Sequence, residues 1–166
     1  IFDLPVAVDF GLVVACIVFL IRMNNITVGE PATLPFHMPD TVEAWHIRGA
    51  LFFGSISKLE HVTDPHRLMA ANSAKIVILD FTDLVNIDNS AMDQIEVFVR
   101  ALHRHHHELI IAGASGHPLR QLERTGIAQA LGPNLVPDME FAMARADIVL
   151  AELAEEEKKE QAALQA

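Results

Sequence analysis

The chain has 166 residues, 51% of them hydrophobic, and a formal net charge of −10. That length suits one well-buried domain with appendages rather than two ordinary domains, and the acidic balance excludes a duplex nucleic-acid binder, which needs a basic face. A single cysteine, Cys16, excludes an internal disulfide framework and any CxxC metal or redox pair, and the first residue is Ile rather than Met, as in a fragment or processed product.

The first element is LPVAVDFGLVVACIVFLIRM, Leu4 to Met23, with Asp9 as its one acid and Arg22 as its one base. Its uninterrupted apolar run, Phe10 to Ile21, falls short of the ~20 residues of a full span. Alone it reads as a short membrane helix, a buried helix or a signal-peptide core. A signal peptide carries positive charge before the run and a small-residue cleavage site after it. Here acids precede and Arg22 follows, the order of a helix leaving a membrane towards the cytoplasm. Residues 24–40 then hold Gly29, Pro31, Pro35 and Pro39 without an apolar period, and read as an extended linker or edge segment.

From Thr41 to about Leu153, strand and helix patterns alternate. Glu43–Arg48 and Leu51–Phe53 read as two short strands about Gly49, which suits a turn or bulge. Asp64-Pro65 opens a helix, with Asp as N-cap and Pro in the first turn. Lys75–Phe81 (KIVILDF) is a nearly continuous apolar run, as in a central strand covered on both faces. After the polar turn Asp88-Asn89-Ser90, Ala91–His107 places Ile95, Phe98, Val99 and Leu102 on one helical stripe. Leu109–Ala114 (LIIAGA) is another buried strand. Ser115-Gly116-His117-Pro118 begins a helix carrying Leu119, Leu122 and Ile127, with Pro118 at its first position. Phe141–Leu153 is a last amphipathic helix, and the acidic tail, 154–166, extends it or frays. This order implies parallel pairing in an α/β domain of two or three layers.

Several clusters invite chemistry and have plainer readings. His103 and His107 stand at i and i+4, the helical spacing of a metal pair, with His61 or His66 as further partners. The run lacks the Glu of HExxH and sits on a last helical turn, where polar and cationic groups complement the dipole, so no metal is expected. Ser115, Gly116 and His117 form an open strand-to-helix turn whose N–H groups could meet an anion or nucleotide. Neither GxGxxG nor GxxxxGK[ST] occurs, and no cofactor is expected. Ser90 has no evident base or oxyanion hole, Cys16 has no partner, and GxSxG is absent. Asp80 and Asp83 flank a strand end as paired carboxylates might, although Asp80 could simply accept from nearby backbone donors. No catalytic residue is assigned, and an enzyme is not the expected class.

Taken together, ILDFTDLVNIDNSAMDQIEVFVRAL resembles the central strand, loop and helix of STAS domains. These domains occur in bacterial anti-sigma-factor antagonists and at the cytoplasmic end of SulP-type anion transporters. Asp80, Leu84, Ile87, Asp88, Ser90 and Ala91 carry the match. The first segment resembles the last membrane helix of SulP transporters at Asp3, Leu4, Ala7, Val8, Gly11, Leu12, Ala15, Arg22 and Met23. RGALFFGSISKLE resembles a SulP-type strand at Gly49, Leu51, Phe52, Phe53 and Gly54. The resemblance implies a STAS-type central β-sheet with helices packed on it, preceded by an apolar helix. Its parts are a last transmembrane segment at 1–23, a linker at 24–40, a STAS domain at 41–153 and an acidic tail at 154–166. It further implies an inner-membrane sulfate, bicarbonate or dicarboxylate transporter with the STAS domain on the cytoplasmic side. The partners implied are the membrane domain of the same transporter, a second copy through the full-length protein, and regulatory proteins or nucleotide. In the antagonists, a Ser directly after the Asp is phosphorylated; Asn89 holds that place here, so Asp88, Asn89 and Ser90 are read as a helix cap first and a regulatory docking or phosphorylation loop second. A soluble antagonist in a partner-switching pathway is the alternative.

Overall fold

The computed structural model describes residues 4–24, 28–32, 39–52 and 74–164. The predicted helix at Asp64-Pro65, the positions Phe53 and Gly54, and His61 and His66 lie outside the described residues. The elements in chain order are α1 (Leu4–Asn24), β1 (Val28–Pro31), β2 (Val42–Leu51), β3 (Ile76–Asp80), β4 (Leu84–Ile87), α2 (Asn89–Arg104), β5 (Glu108–Ala112), α3 (Gly116–Arg124), α4 (Ile127–Leu131), a 3-10 turn (Gly132–Asn134), β6 (Leu135–Val136) and α5 (Met139–Leu164).

The sheet runs β1-β2-β3-β5-β6, with β4 also paired to β2. β1 is antiparallel to β2, and every other pair is parallel. Alternation along the strands divides the core into two layers. Ile47, Leu51, Val77, Leu79, Leu109 and Ile111 face one way, against α2, α3 and α4. Val42, Ala44, Ile76, Ile78, Ile110 and Ala112 face the other, against Ala142, Ala146, Val149 and Leu153 of α5. All five residues of β3 are buried, which is why its sequence is apolar without alternation. The architecture is therefore three-layered.

The predicted pair of strands about Gly49 is one strand. β2 continues through Gly49, and its register with β4 shifts between Gly49 and Ala50. Gly49 has φ of 83°, a conformation glycine adopts without steric cost, so it bends the strand instead of ending it. The first half of β2 pairs with β3 and the second half with β4. Pro31 sits on the edge strand β1, where a missing N–H is tolerated. The segment 24–40 thus contributes a strand as well as a connection.

The predicted helix from Ser115 through Ile127 is divided. α3 ends at Arg124, Gly126 turns the chain with φ of 81°, and α4 starts at Ile127. Pro118 is in the first turn of α3 rather than its first position, and it needs no hydrogen bond there. β6 was not anticipated. α5 runs well past Phe141–Leu153, so the acidic tail continues the helix to Leu164.

From Leu4 to Phe19 the side chains of α1 are apolar apart from Asp9, and all are exposed: Phe10 is 71% exposed, Ile17 50% and Phe19 62%. Its backbone is helical for 21 residues, while its described side chains stop at Phe19. Among the described residues, no helix is long and apolar enough to cross a membrane.

Candidate functional site

In open parallel sheets, ligands and partners meet the loops at the carboxyl ends of the strands. Three such loops carry polar groups here: 81–83 after β3, 88–90 after β4 and 113–117 after β5. The middle one leads into α2. Asp88 has extended backbone (φ −91°, ψ 170°), and its Oδ1 accepts from Ala91 N–H at 2.8 Å. It is the N-cap, satisfying one of the donors a helix start leaves open. Asp88 N–H donates to Leu51 carbonyl at 3.1 Å, which ties the cap to the end of β2. Below it Ala91, Met92, Ile95, Phe98, Val99 and Leu102 are buried.

Asn89 does not cap. It is exposed, and its Oδ1 accepts from Arg124 Nη2 at 2.7 Å, joining the start of α2 to the last turn of α3. Ser90 is half-buried. Ser115, Gly116 and His117 stand at the opposite end of α3, roughly 13 Å away along a nine-residue helix. Ser115 is the N-cap by position, but its side chain makes no capping bond. Gln121 Nε2 donates to His117 Nε2 at 3.1 Å, whereas His117 Nδ1 and Gln121 Oε1 are buried without a partner.

The loop after β3 holds the densest polar cluster. His46 and Asp80 are register partners on β2 and β3. His46 Nδ1 meets Asp80 Oδ2 at 2.7 Å, and His46 Nε2 meets Asp83 Oδ2 at 3.0 Å. Asp80 Oδ1 accepts from both the backbone N–H and the hydroxyl of Thr82. Partial burial pulls the His46 pKa down, but the hydrogen bonds and negative charges of Asp80 and Asp83 outweigh it and hold the value above the usual 6.5. Burial likewise pushes Asp80 up, and the Thr82 and His46 hydrogen bonds and the His46 charge outweigh that, holding it below 3.8. Gly113, at φ 70°, lies against Thr82, and a Cβ there would overlap the Thr82 hydroxyl. The sequence marked Asp80 and Asp83, and Asp80 does accept a backbone donor. His46 was missed because no local pattern announces it.

A model of the STAS domain matches residues 39–142, more than half of the chain. The chain belongs to the STAS-domain family. A Bacillus subtilis (strain 168) candidate sulfate transporter, YvdB, is 30% identical over 135 residues, which span 79% of this chain and 25% of that protein. The chain thus corresponds to about a quarter of the length of this curated relative. A Wolinella succinogenes protein described as a member of the sulfate transporter family superposes with a TM-score of 0.63 at 26% identity, over 73% of this chain and 97% of that structure. The murine anion transporter Solute Carrier 26 family member A9 shares the fold, with a TM-score of 0.68 at 12% identity over 89% of this chain and 26% of that one. These STAS relatives agree with the sheet, its flanking helices and the resemblance read from the sequence.

The histidine run of this STAS domain is a helix terminus. His106 adopts φ of 57°, His106 N–H donates to His103 carbonyl at 3.3 Å, and His107 N–H donates to Leu102 carbonyl at 3.0 Å. That is the double closure of a Schellman motif, with His in the left-handed position usually taken by Gly. His107 is buried with Nδ1 against the Ala74 carbonyl at 2.8 Å, while His103 Nδ1 meets Glu108 at 3.2 Å. The pair is thus committed to different partners, and among the described residues no group of three ligands could hold a metal. At the amino end of β5, a cavity of about 210 Å³ is lined in part by Glu108, Leu131, Asn134, Arg145, Val149 and Glu152. Its polar rim is internally bonded: Asn134 donates to Glu108, and Arg145 donates to Asn134 and Glu152.

Proposed function

We propose that this chain is the C-terminal part of a SulP-type secondary anion transporter, with its STAS domain on the cytoplasmic side of the inner membrane serving assembly and regulation. α1 carries this reading. A helix apolar on all sides requires an apolar surrounding, and its described side chains lie open to solvent. The sequence continues the apolar run through Ile21, and in this reading residues 1–23 are the last transmembrane segment. The likeness to YvdB and to the Wolinella protein supports sulfate as the substrate class; bicarbonate or a dicarboxylate stands beside it only from the resemblance read in the sequence. Transport chemistry then lies in the membrane domain, and the residues here do not touch the anion in transit.

In this reading the STAS domain contacts its own membrane domain and a second copy of the transporter. Its regulatory surface is the loop Asp88–Ser90, where α2 begins. The unpartnered His117 Nδ1, beside Ser115 and Gly116 at the start of α3, supports an anion or nucleotide contact there.

The test is the intact mass of the native gene product and its partition after alkaline extraction. The expected result is a product several times heavier than 18.3 kDa that stays in the membrane pellet. A soluble product near that mass would overturn the transporter reading and favour a soluble sigma-factor antagonist, whose partner would be an anti-sigma kinase. Asn89 in place of a phosphorylatable Ser argues against that alternative.

A further inference from the structure

One imidazole, that of His46, bonds the carboxylates at both ends of the loop between β3 and β4. We propose that His46 is a proton-operated latch: as imidazolium it bridges Asp80 and Asp83, and on losing one proton to water it keeps Asp80 and releases Asp83. This inference rests on the geometry of the STAS domain alone, whatever the chain's larger assembly.

A neutral imidazole has one N–H, so it can donate to only one of the two carboxylates. Exposure decides which. The Asp80 side chain is 12% exposed and lies 2.7 Å from Nδ1, whereas Asp83 is 60% exposed and lies 3.0 Å from Nε2. Asp80 is also fixed by two bonds from Thr82 and would be costly to leave without its donor. The Asp83 carboxylate is already in water and gives up its bond at little cost. The neutral ring therefore keeps its proton on Nδ1.

Several charged groups on this side of the sheet, among the described residues, bond to partners other than His46. Glu30, the register partner of His46 on β1, is bonded by Arg48 at 3.1 Å. On the α5 side, Asp138 caps Phe141 N–H, and Arg145 is held by Asn134 and Glu152. Among the described residues, Asp80 and Asp83 are the acids bonded to the ring. The latch bears directly on neighbouring backbone: Asp83 carbonyl accepts from Gly49 N–H at 3.0 Å, and Phe81 carbonyl accepts from Leu84 N–H at 3.0 Å. Those bonds set the start of β4, which leads to Asp88 and the cap of α2.

The sign of the pH effect follows. His46 is held above 6.5 in the folded state, so its contribution stands in full below that value and is lost as pH rises through the folded pKa. Asp80 is held below 3.8, so its contribution is lost as pH falls through its own folded value. The latch is closed between these limits and opens on the alkaline side.

Imidazole ¹⁵N NMR of the full chain, from about pH 5 to about pH 9, tests this. His46 is expected to titrate above 6.5 and to retain its Nδ1 proton when neutral. Beyond that midpoint, the amides of Gly49 and Leu84 are expected to exchange faster than base catalysis alone explains. Asp83→Asn, at an exposed position, should lower the midpoint by roughly half to one pH unit and remove the excess exchange. A midpoint at or below 6.5, a neutral ring protonated on Nε2, or a midpoint indifferent to Asp83→Asn would each overturn the latch.

Discussion

Helices α1 and α2 use apolar residues to opposite ends. In α2 they fall on one stripe, and Met92, Ile95 and Leu102 disappear into the sheet while Asp93, Glu96 and Arg100 face water. In α1 they fall on every side, and Leu4, Phe10, Leu12 and Phe19 are all more than 60% exposed. The difference shows that the arrangement of apolar residues, more than their number, decides whether a helix belongs to a domain. A one-sided helix can be satisfied by one sheet face. A helix apolar all round cannot, and among the described residues the fully buried members of both core layers come from β2 onward.

The largest effect expected from this contrast is on partition. Removing residues 1–24 should abolish the need for detergent while leaving the thermal midpoint of the STAS domain within a few degrees, as read by detergent-free gel filtration and circular dichroism. A truncated chain that unfolds would show that α1 belongs to the core. Next comes Leu102→Ala on α2, at a fully buried position. It should lower stability by about 2–5 kcal/mol in urea titration, whereas Leu12→Ala on α1 should leave the STAS transition in place. The smallest effect is Asp88→Ala, which removes the cap of α2 and should cost about 1 kcal/mol. Asp88→Asn, which preserves an accepting oxygen, should recover most of it.

Much of the body was legible because its signals are local. β3 and β5 announce themselves as apolar runs, α2 by its stripe, and Asp88 by standing where a strand feeds a helix. What was missed depends on contacts distant in sequence. His46 acquires its role from Asp80 and Asp83, 34 and 37 residues away, through a parallel register that no window along the chain contains. Asn89 finds Arg124 at a separation of 35 residues. Gly49 was legible as a turn or bulge, but which of the two it makes depends on β4, against which the register shifts there. β6 has two residues, too few for any period.

The division of β2 between two partners has a kinetic consequence. β1 can pair with β2 after closing a short connection, but β3 must close the whole stretch from 52 to 75 before its first ladder bond forms. Such non-local parallel pairing is slow, because chain entropy is lost before contacts repay it. During synthesis β2 leaves the ribosome ahead of β3 and β4, and it supplies the template on which each is aligned. A one-residue slip in this strand would turn its apolar side chains to the wrong face and carry the error into both later pairings. The fidelity of folding is thus concentrated in ten residues, and the nascent chain is most vulnerable to misassembly in the interval between completing Leu51 and completing Ile87.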